Sequence, residues 1–368
     1  MRIDTCGLIL ADDKRINLGE LMRPRALGAV PFGGRYRIID FNLSNMVNSG
    51  ITSIGVSTFN KYKSLMDHIG TGSAWDLDRK RQGLSILPPY ISSDAYSGES
   101  DDLLGILNFF RARREQYMII TSSNVIMTTA YNDFVESHVE SGADMSVMYN
   151  RDGINSGEPN LILDLDRRGH LRQAYTNPAK PVSTRSSLGT VCIKRELFLD
   201  MISYAISRGI PEVSIEYLIR EHKSINVRGY EYKGVALRIN SVQEYFDATM
   251  RSLTEDVAEA LYWTENPVYT KVKDEAPAFF GETSEVKGSM VSDGCYIAGE
   301  VSESMLFRGV QVGEGAKLDN CIIFQNTQIG EGCTLSHVII DKNCTIRPGI
   351  SLIGQPDYPV VIGKGATV

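Results

Sequence analysis

The last part of the chain repeats aliphatic residues at nearly constant intervals, and this repeat restricts the possible folds more than any other feature. The steps between these residues are six, five, six, six, five, six and six, at Val312, Leu318, Ile323, Ile329, Leu335, Ile340, Ile346 and Leu352. Glycine follows several of them. This spacing is typical of hexapeptide repeats, in which three short strands make one triangular coil and each aliphatic side chain stacks on the coil before it. The sequence therefore predicts a left-handed parallel β-helix over residues 290–368.

The residues before the repeat alternate between short β-rich runs and helical patterns. Buried strands are predicted at Cys6–Ala11, Ser53–Thr58, Tyr117–Ser122 and Ala143–Asn150. Helices are predicted at Ile38–Gly50, Asp101–Gln116 and, as one long element, Val242–Trp263. This alternation indicates an α/β domain with a mostly parallel sheet over 1–263, and the segment 264–289, which has little periodicity, is predicted to be a linker. Ligands bind at the carboxyl ends of such strands, and the loop after Ala11 is one such place.

The composition excludes several classes of function. The net charge is -7 and the pI is about 5.4, whereas binding to nucleic acid as the main partner requires a basic face. The six cysteines are scattered, without a C-x-x-C pair, and the histidines lack metal-ligand spacing, so we expect neither disulfides nor a metal site. No secretory leader and no membrane helix are expected, since "CGLILA" is too short for either. We therefore expect a cytoplasmic protein.

One segment carries a specific resemblance. Residues 29–51 read AVPFGGRYRIIDFNLSNMVNSGI. This stretch closely resembles the corresponding segment of bacterial ADP-glucose pyrophosphorylase, a glucose-1-phosphate adenylyltransferase. That enzyme makes ADP-glucose and pyrophosphate from ATP and glucose 1-phosphate in glycogen synthesis. The resemblance covers essentially the whole chain, in the order α/β domain and then hexapeptide coil, and it implies a nucleotidyltransferase-like fold.

The resemblance fails in the phosphate loop. Active members of the family carry G-G-x-G-x-R-L and then R-A-K-P-A-V-P-F-G-G. Aligned without gaps, this chain has Asp12 and Asp13 at the first two glycines and Arg15 at the third. Asn17 stands at the phosphate-binding arginine and Leu27 at the catalytic lysine. Glycines let backbone N–H groups approach a phosphate, and two carboxylates there would repel it, so the resemblance implies a loop unable to hold a triphosphate.

Three further motifs have changed. Ser123 stands at the metal-binding aspartate of the family's S-G-D-H, and Arg238 stands at the second metal aspartate, in W-R-D-V-G-T. Asn177 aligns with the lysine of F-x-E-K-P that binds the sugar phosphate. A cation in place of a Mg²⁺ ligand implies that the family's metal site is lost and that no cofactor is held.

A retained scaffold with these replacements resembles the non-catalytic, GlgD-type branch of the family, found beside the catalytic subunit in some bacteria. The resemblance implies a regulatory subunit without independent activity. It would form a hetero-oligomer with a catalytic subunit, expected to be a tetramer, or a homo-oligomer when alone. We expect neither nucleic acid nor a membrane as a partner.

Two alternatives and one further site remain open from the sequence. The chain could be an active adenylyltransferase in which Asp12 or Asp13 recruits the metal. It could instead be a hexapeptide acyltransferase, for which His337 is the coil histidine. Arg35 follows "PFGG" where the catalytic family often has a basic residue linked to activating sugar phosphates. Arg35 and the nearby Arg37 are therefore candidate residues for binding an effector phosphate.

Overall fold

A mostly parallel sheet forms the centre of the N-terminal part of the chain. The computed structural model describes residues 4–58, 61–80, 82–87, 101–151, 161–210, 214–220 and 225–368. The strands before the coil are β1 (Thr5–Leu10), β2 (Pro31–Phe32), β3 (Tyr36–Arg37), β4 (Ser53–Ser57), β5 (Gly83–Leu87), β6 (Tyr117–Ser122), β7 (Val125–Ile126), β8 (Met145–Asn150), β9 (Leu161–Leu165), β10 (Leu171–Thr176), β11 (Ser186–Lys194), β12 (Val227–Glu231) and β13 (Leu237–Arg238). The helices are α1 (Ile38–Asn48), α2 (Lys63–Ile69), α3 (Asp101–Arg111), α4 (Asn132–Ser141), α5 (Arg195–Ser207), α6 (Ile215–Arg220), α7 (Val242–Arg251) and α8 (Glu255–Tyr262).

The order of the strands places the end of β1 in the middle of the sheet. Along the sheet the order is β10-β9-β11-β6-β1-β4-β5, with β8 pairing β11 and β12. Strand β1 runs parallel to both β4 and β6, whereas β11 runs antiparallel to β6 and β8. The predicted strands are confirmed as β1, β4, β6 and β8. The carboxyl ends of β1, β4 and β6 therefore meet at one edge, where the backbone N–H of Ser123 donates to Leu10 and that of Ala11 to Ser57.

The prediction of one long helix over Val242–Trp263 is wrong, because the structure has two helices there. Helix α7 ends before Ser252, and α8 begins after Thr254. The hydroxyl of Thr254 lies 2.6 Å from Asp256 Oδ1 and 2.8 Å from the carbonyl oxygen of Arg251. The side chain of Thr254 does not cap α8, but Glu255 and Asp256 in its first turn favour a helix start there through the helix dipole, and this local signal overrides the continuous apolar periodicity.

The predicted repeat forms a parallel β-helix. Its strands are β14 (Phe279–Phe280), β15 (Glu285–Lys287), β16 (Met290–Val291), β17 (Tyr296–Ile297), β18 (Glu300–Ser302), β19 (Met305–Leu306), β20 (Gln311–Val312), β21 (Lys317–Ile323), β22 (Gln328–Ile329), β23 (Thr334–Ile340), β24 (Thr345–Ile346), β25 (Ser351–Ile353) and β26 (Val360–Ile362). Val312 pairs with Ile329, which pairs with Ile346, so equivalent residues stack in successive coils. Strands β14 and β15 lie inside the range 264–289 that we predicted to be a linker. The prediction missed them because this first coil lacks the regular aliphatic spacing.

The coil packs directly against the N-terminal part. Leu27, Phe41 and Tyr245 belong to the same buried cluster as Phe307 and Phe324 of the coil. The glycines of "PFGG" serve this junction: Gly33 and Gly34 have positive φ, and a Cβ on either would meet Tyr262 or Ser292 at less than 3 Å. These two glycines are therefore retained for the fold. Among the helices that the structure describes, none has the length and apolarity needed to span a membrane.

Candidate functional site

A cleft lies at the sheet edge where β1 and β6 end. Residues from the loop after β1 (Asp12, Asp13, Arg15), from the end of β6 (Ser122, Asn124) and from α6 (Glu216) line it. Arg238 and Gly189 lie on its other side. The cavity volume is about 70 Å³, compared with roughly 300–1,000 Å³ for typical small-molecule sites. The cleft lies beside the loop after Ala11, where the sequence predicts that a ligand binds, but its volume is too small for a nucleotide sugar as it stands.

Asp12 holds the loop to the sheet. Its Oδ1 accepts a hydrogen bond of 3.0 Å from the backbone N–H of Leu27, and its Oδ2 accepts one of 3.2 Å from the hydroxyl of Thr58. The backbone N–H of Gly28 donates to the carbonyl oxygen of Ala11. A carboxylate thus occupies a backbone donor at the position where the family's phosphate loop meets its catalytic segment.

Asp13 and Arg15 form a local ion pair, and Arg15 also reaches across the cleft to Glu216. Arg15 Nη2 lies 2.6 Å from Asp13 Oδ2, and both the backbone N–H and Nε of Arg15 donate to Asp13 Oδ1 at 2.9 Å. Arg15 Nη1 donates to Glu216 of α6. Glu216 also accepts from Thr176 and, at 2.9 Å, from Arg220. We call Asp13, Arg15, Thr176, Glu216 and Arg220 the cleft network; it fills the space over the former glycine loop with side chains.

The positions that correspond to the family's phosphate-binding arginine and catalytic lysine lie outside the cleft. Asn17 is exposed, and its Oδ1 accepts from the backbone N–H of Gly19 at 2.9 Å, so it forms a local turn. Leu27 begins a short 3-10 helix over Leu27–Ala29 and is 0% exposed within the core shared with the coil. An aliphatic side chain at this position contributes to packing and offers no group to a ligand.

The end of β6 contributes polar but uncharged groups. Ser123 is buried, and its hydroxyl has no hydrogen-bond partner among the described residues. Its neighbours face the cleft instead: Ser122 donates to Asn124 Oδ1 at 2.5 Å, and Asn124 Nδ2 donates to Asn240 Oδ1 at 2.7 Å. Ser122 and Asn124 are thus engaged in hydrogen bonds with neighbouring side chains. No carboxylate stands at the position that aligns with the family's first metal aspartate.

Arg238 ties three segments together at the far side of the cleft. Its Nη2 donates to Asn150 Oδ1 at 3.2 Å and to the carbonyl oxygens of Ser186 and Ser187 at 3.1 and 2.8 Å. The family's Mg²⁺ requires oxygen ligands, mainly carboxylates. A guanidinium and a buried serine do not supply them, and among the described residues no three His, Cys, Asp or Glu side chains come together in a way that could hold a metal ion. The residues present therefore do not fit the family's metal.

Asn177 is separated from the cleft. It follows β10, is exposed and has a φ of 44°, a left-handed conformation that asparagine tolerates in turns. Its neighbour Thr176 is the residue that lines the cleft.

The two candidate effector arginines face different surroundings. Arg35 is exposed, and its guanidinium lies 5.6 Å from the centre of the Tyr36 ring. Arg37 is half-buried, and its Nη1 donates to the carbonyl and hydroxyl oxygens of Ser64 at 2.7 and 3.0 Å. Burial, partly offset by Asp40 and reinforced by Arg25, lowers the pKa of Arg37 to about 10. Arg37 thus belongs to a group of cations at the junction with the coil.

His337 is half-buried and packs against the N-terminal part. Its ring centre lies 6.0 Å from that of Phe246 in α7, and its Nδ1 lies 2.9 Å from Ser336 Oγ. This contact gives the histidine a role in packing the coil on α7.

The sequence analysis missed residues in the cleft and at the junction between the N-terminal part and the coil. Glu216 is the acceptor that closes the cleft, and Arg25, Asp341 and Lys342 lie at the junction between the N-terminal part and the coil. The only sequence signal for Asp341 is an acidic residue that directly follows an apolar run in the repeat. Glu216 contacts Arg15 although the two residues are 201 positions apart in the sequence, and no local sequence pattern indicates such a contact.

Comparisons with known proteins match the two parts of the chain to two families. Residues 7–212 match the family described as Nucleotidyl transferase, and residues 276–357 match the one described as GlmU-like, C-terminal hexapeptide. The chain is 34% identical over 318 residues to the glycogen biosynthesis protein GlgD of Bacillus subtilis (strain 168), covering 85% of this chain and 82% of that protein. It is 37% identical over 303 residues to GlgD of Geobacillus stearothermophilus, covering 81% and 78%. It is 32% identical over 322 residues to the glucose-1-phosphate adenylyltransferase of Bacillus subtilis (strain 168), covering 85% and 84%.

Proposed function

The chain belongs to the nucleotidyltransferase family that contains the glucose-1-phosphate adenylyltransferases and the GlgD proteins, and from this membership we propose that it is a regulatory subunit in glycogen synthesis. It assembles with a catalytic homologue that makes ADP-glucose, and it does not itself catalyse the reaction. Its identities to the two kinds of relative lie close together, so the residues of the cleft have to decide between them.

The cleft network is the observation that carries the proposal. Arg15 and Glu216 join across the position where the family binds the triphosphate, so a nucleotide would have to break their ion pair before it could enter. Catalysis of nucleotidyl transfer depends on positively charged groups that neutralise the charge developing on the phosphates. In this chain Leu27 is buried and uncharged, and Asn17 accepts a hydrogen bond from the nearby backbone N–H of Gly19. Arg238 is held by backbone carbonyl oxygens.

An active site built on Asp12 or Asp13 would be costly in this fold. Asp12 would have to release the backbone N–H of Leu27, and Asp13 would have to release Arg15. The buried backbone N–H of Leu27, left without an acceptor, would cost about 1–3 kcal/mol. These contacts favour the regulatory subunit over the active adenylyltransferase.

The proposal predicts a change of rate on mixing. We expect the purified catalytic homologue from the same cell to show a raised kcat or a lowered KM when this chain is added, and the mixture to sediment as a hetero-oligomer. A coupling free energy of roughly 1–3 kcal/mol between subunits corresponds to a change of about 5–150-fold in affinity. The measurement is the steady-state formation of ADP-glucose together with the oligomeric mass. Unchanged kinetics and unchanged mass on mixing would contradict the proposal.

The regulatory function includes an effector site, and the geometry favours Arg37 over Arg35 as its phosphate ligand. We expect Arg37→Gln to weaken binding of inorganic phosphate to this chain by about tenfold or more, because a hydrogen bond to a charged group contributes roughly 1.5–3 kcal/mol. Arg35→Gln is the matched control, since it removes the same charge from an exposed position two residues away. Calorimetric titration measures both. An equal loss of affinity in the two variants would show that Arg37 has no special role.

A further inference from the structure

A larger cavity lies at the amino ends of the strands, on the opposite edge of the sheet from the cleft. Two adjoining pockets share Asp4, Arg79, Gln82 and Glu115 in their walls, and their volumes are about 430 and 720 Å³. Both volumes lie within the range of roughly 300–1,000 Å³ that is typical of small-molecule sites, whereas the cleft measures about 70 Å³. We call these two pockets together the amino-edge groove. Space for a small molecule therefore exists away from the positions that the family uses for catalysis.

The floor of the amino-edge groove is built from residues that precede neighbouring strands. Asp4 precedes β1, and its carbonyl oxygen accepts from the backbone N–H groups of Gln116 and Tyr117 at 3.1 and 3.2 Å, where β6 begins. Thr52 precedes β4, and its carbonyl oxygen accepts from the backbone N–H of Gly83 at 2.7 Å. These bonds continue the pairing of the sheet, so the groove rests on backbone that the core holds in place.

Two buried polar side chains line the larger pocket of the groove. Ser53 is 1% exposed and Glu115 is 6% exposed. No described group donates a hydrogen bond to the Ser53 oxygen. Burial alone would raise the pKa of Glu115, but the nearby Ser53 hydroxyl and the backbone N–H groups of Glu115 and Arg114 lower it overall. A carboxylate and a hydroxyl oxygen with unused acceptor capacity are therefore available to the donors of a ligand.

The charges around the groove cancel. Its walls hold three carboxylates and three guanidinium groups, which belong to Asp4, Glu115, Glu136, Arg79, Arg113 and Arg114. Residues outside the groove hold two of the arginines: Arg79 Nε donates to the carbonyl oxygen of Asp76 at 2.7 Å, and the Arg113 guanidinium lies 4.2 Å from the centre of the Phe109 ring. An ion that entered would lose its hydration without meeting an excess of opposite charge. The lining therefore favours a ligand without net charge.

We propose that the amino-edge groove binds a neutral sugar of one or two rings. Each sugar hydroxyl both donates and accepts, so it can donate to Glu115 or Ser53 while it accepts from a guanidinium or from the Gln82 amide. Aliphatic side chains are a minority of the lining and offer little surface to an apolar ligand. A zwitterionic amino acid is also neutral overall, but its single ammonium and single carboxylate leave most of these polar groups without a partner. The inference goes beyond the regulatory function and does not depend on it.

Calorimetric titration of the full chain with maltose and with D-glucose tests the inference. We expect saturable binding of at least one of these sugars, and binding weaker by about tenfold or more in Ser53→Ala and in Glu115→Gln, because each variant loses an acceptor or its charge. Ser57→Ala is the matched control for the first variant, since Ser57 is also buried and lies at the opposite end of β4. Glu140→Gln is the control for the second, since it removes a carboxylate from an exposed position outside the groove. Both controls should bind as the wild type does.

An absence of saturable binding by both sugars would overturn the inference. Binding that is unchanged in Ser53→Ala and in Gln82→Ala would overturn it as well, and because Gln82 is exposed, its variant is informative even if Glu115→Gln does not fold. Glu216→Gln separates the groove from the cleft: it should bind the sugars as the wild type does, and a loss confined to this variant would place the sugar in the cleft and refute the inference.

A parallel titration with L-glutamine distinguishes the two neutral classes of ligand. Binding of L-glutamine without binding of either sugar would identify a site for a zwitterion and contradict the inference. All of these titrations use this chain alone. Unchanged kinetics on mixing with the catalytic homologue would therefore refute the regulatory function and leave the sugar site standing, whereas a failed sugar titration would leave the regulatory function standing.

Discussion

We expect the purified chain to form ADP-glucose from ATP and glucose 1-phosphate no faster than a control without protein. Removing one group that stabilises the transition state typically lowers kcat by roughly 10²–10³-fold. This chain lacks both the lysine and the arginine that the family uses, and it lacks both metal aspartates, with Leu27, Asn17, Ser123 and Arg238 in their places. A loss of at least about 10⁴-fold relative to a catalytic homologue follows from these replacements.

The measurement is the release of pyrophosphate with saturating substrates and Mg²⁺, beside the catalytic homologue at the same concentration. A real rate from this chain that disappears in Asp12→Ala or Asp13→Ala would contradict the expectation. That result would instead support an active enzyme whose metal is bound by one of these carboxylates. Glu216→Gln serves as a control, since opening the cleft network alone restores none of the missing charges.

Introducing the family's lysine at position 27 is expected to destabilise the protein rather than activate it. Leu27 is 0% exposed and packs between the N-terminal part and the coil. Leu27→Lys would place an ammonium group in that apolar core without a counter-charge. We expect the free energy of unfolding to fall by about 3 kcal/mol or more, as for other uncompensated buried charges.

Urea denaturation of Leu27→Lys and of Leu27→Met measures this effect. The methionine variant has nearly the same volume and should lose less than about 1.5 kcal/mol. The penalty should also depend on pH. A buried lysine has a lowered pKa in the folded state, so the penalty is full at neutral pH and shrinks as the pH rises toward the unfolded lysine pKa of about 10.4. A variant as stable as the wild type at pH 7 would show that residue 27 can reach the cleft.

The two predictions together separate the residues that hold the fold from the residues that line the cleft. Gly33 and Gly34 have positive φ, and their lack of a side chain allows close approach of Tyr262 of α8 and of Ser292 of the coil. Asp12, Asp13 and Arg15 adopt ordinary negative φ, and their side chains now hold the loop to β4 and α6.

The sequence by itself determined the two kinds of architecture and the replaced site positions. Apolar periodicity predicts β1, β4, β6 and β8 because each is a continuous buried run, and the five-and-six-residue spacing predicts the coil because its side chains must stack inward. The start of the coil at Phe279 and the break between α7 and α8 escaped the same reasoning. Irregular spacing hides the first of these, and the acidic first turn of α8 accompanies the second.

Only the tertiary structure decided what the replaced residues do. Arg15 meets Glu216, and Arg25 meets Asp341, across 201 and 316 positions of the chain. Ion pairs of this kind depend on which loops and coils the folded core brings together. Periodicity reports only whether a side chain faces inward or outward. The sequence could therefore predict which residues stand at the family's catalytic positions, whereas the closed cleft and the ion pair between Arg25 and Asp341 follow from long-range packing.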